Sequence, residues 1–269
     1  MSSKLFDLSG HRALITGGTQ GVGASIAVAM AEAGADILLL GLRDDELAQA
    51  TLERCRQYGT VCELATADLS QPPSIYLDDL LAETDRSLPG VDLLINNAGT
   101  YIDQPYFEMD FETYMTTMHL NVTSGYFLTQ AFAKRWVENS VAGRVLFTGS
   151  INGVLSEPDH TAYDTSKGAV AAMVRTLCVT LAPHHIRVNA MAPGLVRTPL
   201  TDVLNKDDRL DRWMQLHTPN GRVPDSDVCG GAAVFLLSDA AEHIHGQTLL
   251  VDGGMSAWQQ PDVPSDWKS

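Results

Sequence analysis

The chain has 269 residues and a formal net charge of −15. That length suits one large α/β domain or two small ones, and a single domain of this size can bury its own core without disulfide or metal staples. The acidic balance disfavours nucleic acid and an anionic membrane surface as partners, since both attract basic faces.

The apolar run Arg12–Thr16 (RALIT) reads as a first strand, followed by an Ala-rich helix over 21–33. A second strand over 36–40 (DILLL) precedes a charged amphipathic helix over 44–58. A third strand covers 61–66, with a helix around 74–84, and Leu93–Asn96 is a fourth strand. One long helix is expected over 111–139, then strand Arg144–Thr148 (RVLFT) and a helix over 161–182. Residues 186–191 form a sixth strand, and Thr248–Val251 closes the series. Apolar runs this short, separated by helices, describe parallel strands covered on both faces. The repeated order predicts an α/β fold of one domain over 1–269: a doubly wound, Rossmann-type, seven-stranded parallel sheet with helices on both faces. Residues 195–221 interrupt the rhythm between strand six and the next helix, at the ligand edge, and are expected to form a substrate lid. The tail, 260–269, is expected to be a loose end or a partner contact.

The cysteines, Cys55, Cys62, Cys178 and Cys229, form no C-x-x-C pair and no metal-ligand spacing. No secretory leader is visible at the start, and no apolar stretch is long enough for a membrane span. The setting expected is a reducing cytoplasm, and the chemistry a metal-independent one.

Ligands of doubly wound folds sit beyond the C-terminal strand ends, so the residues that follow each strand matter most. After the first strand comes Thr16-Gly17-Gly18-Thr19-Gln20-Gly21-Val22-Gly23, which opens a helix. Gly17 permits a tight turn, Gly21 a close backbone approach to a pyrophosphate, and Gly23 close packing of helix on sheet. The helix N-terminus then offers free N–H groups to phosphate. The spacing is not a strict G-x-G-x-x-G, and no Lys-Ser/Thr pair makes it a P-loop.

Further motifs follow in order: Asn96-Asn97-Ala98-Gly99 ends strand four, Asn121 lies in the next helix, Ser150 follows strand five, Tyr163-Asp164-Thr165-Ser166-Lys167 opens a helix, and Pro193-Gly194 follows strand six. Together with the glycine loop they resemble the short-chain dehydrogenase/reductase family, over roughly residues 5–254. The resemblance implies an oxidoreductase that moves hydride between NAD(P) and a secondary alcohol or ketone. It implies Tyr163 as general acid/base, Lys167 as its assistant, Ser150 on the substrate oxygen and Asn121 in a water-linked proton path. It assigns to the cofactor Gly17, Thr19, Gln20, Gly21, Val22, Gly23, Asn97, Ala98, Gly99, Pro193 and Gly194, with Tyr163 and Lys167. Asp68 and Leu69, after strand three, would meet the adenine; Val196 and Thr198 would meet the nicotinamide carboxamide. Asp68 also reads as a loop or helix-cap acid. Asp252-Gly253-Gly254 resembles a closing structural turn.

The residue types suit that chemistry. Tyr163 and Lys167, four apart on a helix, share one face. A cation held close favours the phenolate and is expected to lower the tyrosine pKa from about 10. Tyr163 then takes a proton during alcohol oxidation or gives one during ketone reduction. Ser150 can donate to the oxygen that gains charge.

At the end of strand two, Gly41 stands where an acid would select NAD. Arg43 can pair with a 2′-phosphate, so NADP is favoured over NAD. Leu42 withholds a basic residue that NADP-using relatives commonly carry, and Arg43 also reads as a solvated residue facing Asp44, Asp45 and Glu46. The expected substrate walls hold Thr100 and Tyr101, then Asn152, Glu157 and His160, then Trp213, Met214 and His217. The polar middle stretch suits a sugar, polyol or other hydroxylated small molecule. Glu157 also reads as a solvent-facing acid and His160 as a helix cap. A 3-ketoacyl or xenobiotic ketone reductase, or a nicotinamide-binding regulator without catalysis, are the alternatives. The long helices with small apolar residues suit either a face buried against a symmetry mate or core packing, and the family resemblance implies a homo-oligomer, a tetramer or dimer.

Overall fold

The computed structural model describes residues 4–205 and 207–258; the tail expected over 260–269 lies outside them. Seven parallel strands, β1 (Arg12–Thr16), β2 (Asp36–Gly41), β3 (Cys62–Thr66), β4 (Leu93–Asn96), β5 (Arg144–Thr148), β6 (Arg187–Pro193) and β7 (Thr248–Val251), form one sheet in the order β3-β2-β1-β4-β5-β6-β7. Every residue of β4 and β6 is buried, as expected of strands covered on both faces.

Alternation along the strands divides the core. Leu14, Leu38 and Leu94 point to one face, where they meet Leu80, Trp136 and Val174. Ile15, Leu39 and Ile95 point to the other, against Ile26, Met30 and Leu236. The first face is covered by α3 (Pro73–Ser87), α5 (Ser124–Glu138) and α6 (Thr161–Leu181). The second is covered by α1 (Gly21–Glu32), α2 (Glu46–Arg56) and α8 (Val228–Leu237). The strand order reverses between β1 and β4, which splays the following connections apart and opens a crevice at their C-terminal ends.

Two regions depart from the simple alternation. The helix expected over 111–139 is two helices, α4 (Phe111–Met118) and α5, joined by a π-helical turn, His119–Thr123. There the Ser124 N–H bonds the His119 carbonyl, one residue beyond helical register. The Leu120 carbonyl takes the Ser124 hydroxyl instead, at 2.7 Å. Such turns concentrate at functional sites, and Asn121 sits in its middle. The stretch over 195–221 carries a 3₁₀ segment, Pro199–Asn205, and α7 (Asp208–His217), whose N-terminus is capped by the Asp207 carboxylate.

Candidate active site

The ends of β1, β2, β4, β5 and β6 open onto one cavity of about 770 Å³, within the rough 300–1,000 Å³ range of cofactor and ligand sites. Its floor is tied by two side chains. The Thr16 hydroxyl accepts from the N–H groups of Asn97 and Ala98, both at 2.9 Å. The Asn97 amide donates to the carbonyls of Thr16 (3.1 Å) and Gly17 (3.0 Å), and its oxygen accepts from the Thr148 hydroxyl at 3.0 Å. The ends of β1, β4 and β5 are thus held in one network that fixes the glycine loop.

Gly17 and Gly21 adopt φ of +61° and +54°, a left-handed region that suits glycine. A Cβ on Gly17 would stand 2.9 Å from Ala98 Cα, and one on Gly23 only 2.1 Å from the Gly17 carbonyl oxygen. Unlike α2, α4 and α7, α1 receives no side-chain cap, because Gln20 makes none, and no acid occupies its first turn. Its first N–H groups therefore remain available to an anion. A cradle walled by backbone, with free donors and no competing carboxylate, fits the pyrophosphate of a nicotinamide dinucleotide.

Beyond β2 the cavity is lined by Gly41, Leu42 and Arg43. A Cβ at Gly41 would lie 2.7 Å from the Thr19 methyl, and Thr19 is held through its carbonyl by the Thr51 hydroxyl at 2.9 Å. A carboxylate side chain at that position would have to displace Thr19. Asp44 accepts from the Gln49 amide (2.6 Å) and Asp45 caps α2 through the Ala48 N–H (3.0 Å). Arg43 is exposed, as its reading as a solvated residue expects, and among the described residues it forms no ion pair with these acids while it lines the cavity. Asp68 lines the cavity, yet its carboxylate is engaged as a local cap. It accepts from the Ser70 N–H (3.0 Å), the Ser70 hydroxyl (2.6 Å) and the Gln71 amide (3.2 Å). These bonds outweigh desolvation and hold its pKa below the usual aspartate value.

On α6, Tyr163 and Lys167 stand together, with the ammonium 5.5 Å from the phenol ring centre. Lys167 is buried and donates to the Thr148 carbonyl at 3.0 Å. Burial pushes its pKa down to about 8. Tyr163 runs against the expected direction. Burial is the largest influence and pushes the phenol up, with Asp164 and Glu157 adding to the rise, while the hydrogen bond with Ser150 pulls it down. The expectation of a lowered value counted the nearby cation and left out desolvation. Ser150 opens the short turn Ile151–Gly153, where its hydroxyl accepts from the Asn152 N–H at 3.1 Å.

Asn121 does not line the cavity. Its amide oxygen accepts from the Thr100 N–H (2.8 Å), and its amide nitrogen donates to the Thr100 carbonyl (3.0 Å) and the Ser166 hydroxyl (2.9 Å). Both donor hydrogens are spent on fastening the segment after β4 to α6.

The wall beside Tyr163 is polar. His160 occupies the N-cap position of α6, but its ring makes no cap bond, contrary to the reading of it as a helix cap. Its Nε2 instead meets the Tyr101 hydroxyl (2.6 Å) and Asp103 Oδ1 (2.9 Å), while Nδ1 lies 3.5 Å from Glu157 Oε2. Tyr101 donates to Asp103 at 2.7 Å and sets its ring edge-on to Tyr163, centres 5.4 Å apart. Asn152 donates to Asp164 at 2.8 Å, and the Glu157 N–H donates to the same carboxylate at 3.1 Å. A backbone bond from Gln104 to the Asp159 carbonyl (3.2 Å) ties the two wall segments.

Nearly all the residues assigned from sequence therefore share one cavity: the whole cofactor set, with Ser150, Asn152, Glu157 and His160. Met214 also lines it, whereas Trp213 and His217 stack on each other, centres 3.7 Å apart, away from its lining. Val196 and Thr198 belong to a loop closed on itself by Thr201. That hydroxyl donates to the Val196 carbonyl (2.8 Å) and accepts the Thr198 N–H (2.9 Å). Asp103 and Thr148 escaped the sequence reading. Asp103 belongs to no motif, and Thr148 acts on Lys167 through a backbone carbonyl, which residue type does not reveal. Among the described residues no group of three or more potential metal ligands occurs, and no helix is long and apolar enough to cross a membrane.

A family model described as enoyl-(acyl carrier protein) reductase matches residues 17–256. The chain is 32% identical to glucose 1-dehydrogenase of Gluconobacter oxydans (strain 621H) over 261 residues, 97% of each chain. It resembles the crystal structure of a gluconate 5-dehydrogenase from Burkholderia cenocepacia J2315 in complex with NADP and tartrate. The TM-score is 0.88 at 31% identity, over 96% of this chain and 100% of the other. A short-chain type dehydrogenase/reductase from Mycobacterium marinum superposes with a TM-score of 0.86 at 31% identity, over 94% and 98% of the two chains.

Proposed function

The chain belongs to the short-chain dehydrogenase/reductase family, and on that premise we propose that it is a sugar or polyol oxidoreductase preferring NADP to NAD. It is an NAD(P)-dependent enzyme that transfers hydride between the nicotinamide and a secondary alcohol or ketone. The observation that carries the substrate reading is the polar wall of Tyr101, Asn152, Glu157 and His160 beside Tyr163. The glucose and gluconate enzymes among its relatives point the same way. An acyl chain or a simple ketone would bring no hydrogen-bonding groups to match that wall.

In this reading Tyr163 exchanges the proton with the substrate oxygen, and Ser150 donates to that oxygen as charge gathers on it. Lys167, held by the Thr148 carbonyl, sets its ammonium 5.5 Å from the centre of the phenol ring, where a positive charge favours the phenolate. Asn121 is a positioning residue. Its amide is engaged, so a water-linked proton path would use its backbone rather than its side chain. Gly17 to Gly23, Asn97 to Gly99 and Pro193 to Thr198 would hold the dinucleotide, with Arg43 as the cation for a 2′-phosphate.

The 3₁₀ segment Pro199–Asn205 and α7 act as the substrate lid of a single-domain enzyme. Exposed Phe111, Tyr126 and Phe127 on α4 and α5, and Leu249 and Leu250 on the edge strand β7, support assembly into a homo-oligomer. Four free thiols are in keeping with a cytoplasmic setting. The test is NADPH formation or consumption across a panel of aldoses, polyols and ketoses, with Tyr163→Phe as control. Turnover should fall by about 10²–10⁴ in that variant while NADPH binding persists. Retained turnover would remove the tyrosine from its role. Binding without turnover by the native chain would favour a non-catalytic regulator.

A further inference from the structure

The substrate end of the cleft carries a charge pattern that the sugar or polyol reading leaves open, since that class includes both neutral sugars and sugar acids. We propose that this site is built for an uncharged polyhydroxylated substrate, with Glu157 as the side chain that excludes carboxylates; the proposal rests on that reading. Arg43 and Lys167 are the two cationic side chains among the described residues that line the cavity. Arg43 stands after β2, at the far side of the glycine loop. Lys167 is buried and bonded to the Thr148 carbonyl. Neither is presented to a substrate group lying against the wall that carries Glu157 and His160.

That wall is acidic. Glu157 lines the cavity, Asp103 lies 2.9 Å from His160 Nε2, and Asp164 lies behind Asn152 at 2.8 Å. The His160 ring lies among these carboxylates, with its Nε2 already committed to Tyr101 and Asp103. Its Nδ1 is buried with no hydrogen-bond partner among the described residues and lies 3.5 Å from Glu157 Oε2.

The exposed Glu157 carboxylate offers only acceptors, a pattern complementary to hydroxyl groups. A carboxylate brings only acceptors and a negative charge. It would leave Glu157 unmatched and would meet like charge, the repulsive element that separates two otherwise similar ligands. Asp164 accepts from both Asn152 and the Glu157 N–H, which anchors the backbone from which the Glu157 side chain projects.

The experiment compares neutral aldoses and polyols with the corresponding aldonates and ketoaldonates, under both cofactors, for the native chain, Glu157→Gln and Glu157→Lys. The expected result is a kcat/KM at least about tenfold higher for the neutral class in the native chain. Glu157→Gln, which keeps the shape of the side chain, should narrow that ratio, and Glu157→Lys should reverse it. Thermal-shift titration of the NADP-loaded protein with glucitol and with gluconate should show the same order without turnover. Equal or preferred use of sugar acids by the native chain, or a ratio unmoved by both substitutions, would overturn the proposal and leave the sugar reading standing. Turnover of neither class would remove the sugar reading itself, and this proposal with it.

Discussion

Gly23→Ala gives the sharpest test of how the glycine loop is built. The added Cβ would lie 2.1 Å from the Gly17 carbonyl oxygen and 2.5 Å from the Asn97 amide nitrogen, two atoms bonded to each other at 3.0 Å. Neither is the free end of a flexible side chain. The oxygen is backbone, and the amide also holds Thr16 and accepts from Thr148. Relieving the overlap means moving the loop by about an ångström and breaking the bond between Asn97 and Gly17. Overpacking of this kind costs roughly 1–3 kcal/mol, and stranding a buried polar partner costs about 1–3 kcal/mol more. The sum, about 2–6 kcal/mol, corresponds to a fall in Tm of roughly 5–15 °C for a chain of this size. Since the displaced atoms form the phosphate cradle, NADPH affinity should fall as well. The assay is thermal unfolding by circular dichroism together with fluorescence titration of NADPH. Gly231→Ala, the same change in α8, is the control: its Cβ meets nothing within 4 Å, so it should stabilise by about 0.5–1 kcal/mol through helix propensity. A Gly23→Ala protein that melts within about 1 °C of the native one and binds NADPH equally would refute the close-approach argument.

Arg43→Ala should weaken NADPH by about tenfold to a hundredfold, the scale of one charge-assisted hydrogen bond, and leave NADH nearly unchanged; parallel losses in fluorescence titrations would show that Arg43 does not read the 2′-phosphate. Asn121→Ala would strand the Thr100 N–H and carbonyl, costing about 1–3 kcal/mol in urea unfolding and lowering kcat more than it raises KM, and a stability equal to the native one would contradict the fastening role. Lys167 carries a pH signature, because its native pKa is depressed to about 8 from the ordinary lysine value of 10.5. Between those values the unfolded chain holds a proton that the native one has released, so this group's contribution to stability rises with pH and is lost as pH falls through about 8. The native protein should therefore gain stability relative to Lys167→Met as the buffer is raised from about pH 7 to about pH 10, and a constant difference between their urea midpoints would count against the buried, poorly solvated ammonium.

Much of the candidate site was legible in the residues because it hangs on strand ends. Each parallel strand delivers the residues after it to one edge of the sheet, so Gly17, Asn97, Ser150 and Pro193, distant along the chain, had to converge. The seven strands and their order along the chain were equally readable, since an apolar run of four to seven residues between helices has few other ways to be buried. Tyr163 and Lys167 needed only the helical period to be set side by side.

What the residues alone did not disclose depends on neighbours far away in sequence. The break at His119–Thr123 follows no proline or glycine; the π turn is accompanied by Asn121 bonding to Thr100 and Ser166, partners supplied by β4's exit and by α6. The direction of the Tyr163 shift reflects how deeply α6 is buried, which no local pattern encodes. Asp68 kept its place at the cavity but spent its carboxylate on Ser70 and Gln71. Trp213 and His217 lay in the right segment yet turned onto each other. Spacing and residue type determined which groups could meet and what chemistry they bring. Burial, the competition for each donor and acceptor, and the charge gathered by converging loops were decided only when the chain was folded, because each is a sum over contacts that sequence separation does not limit.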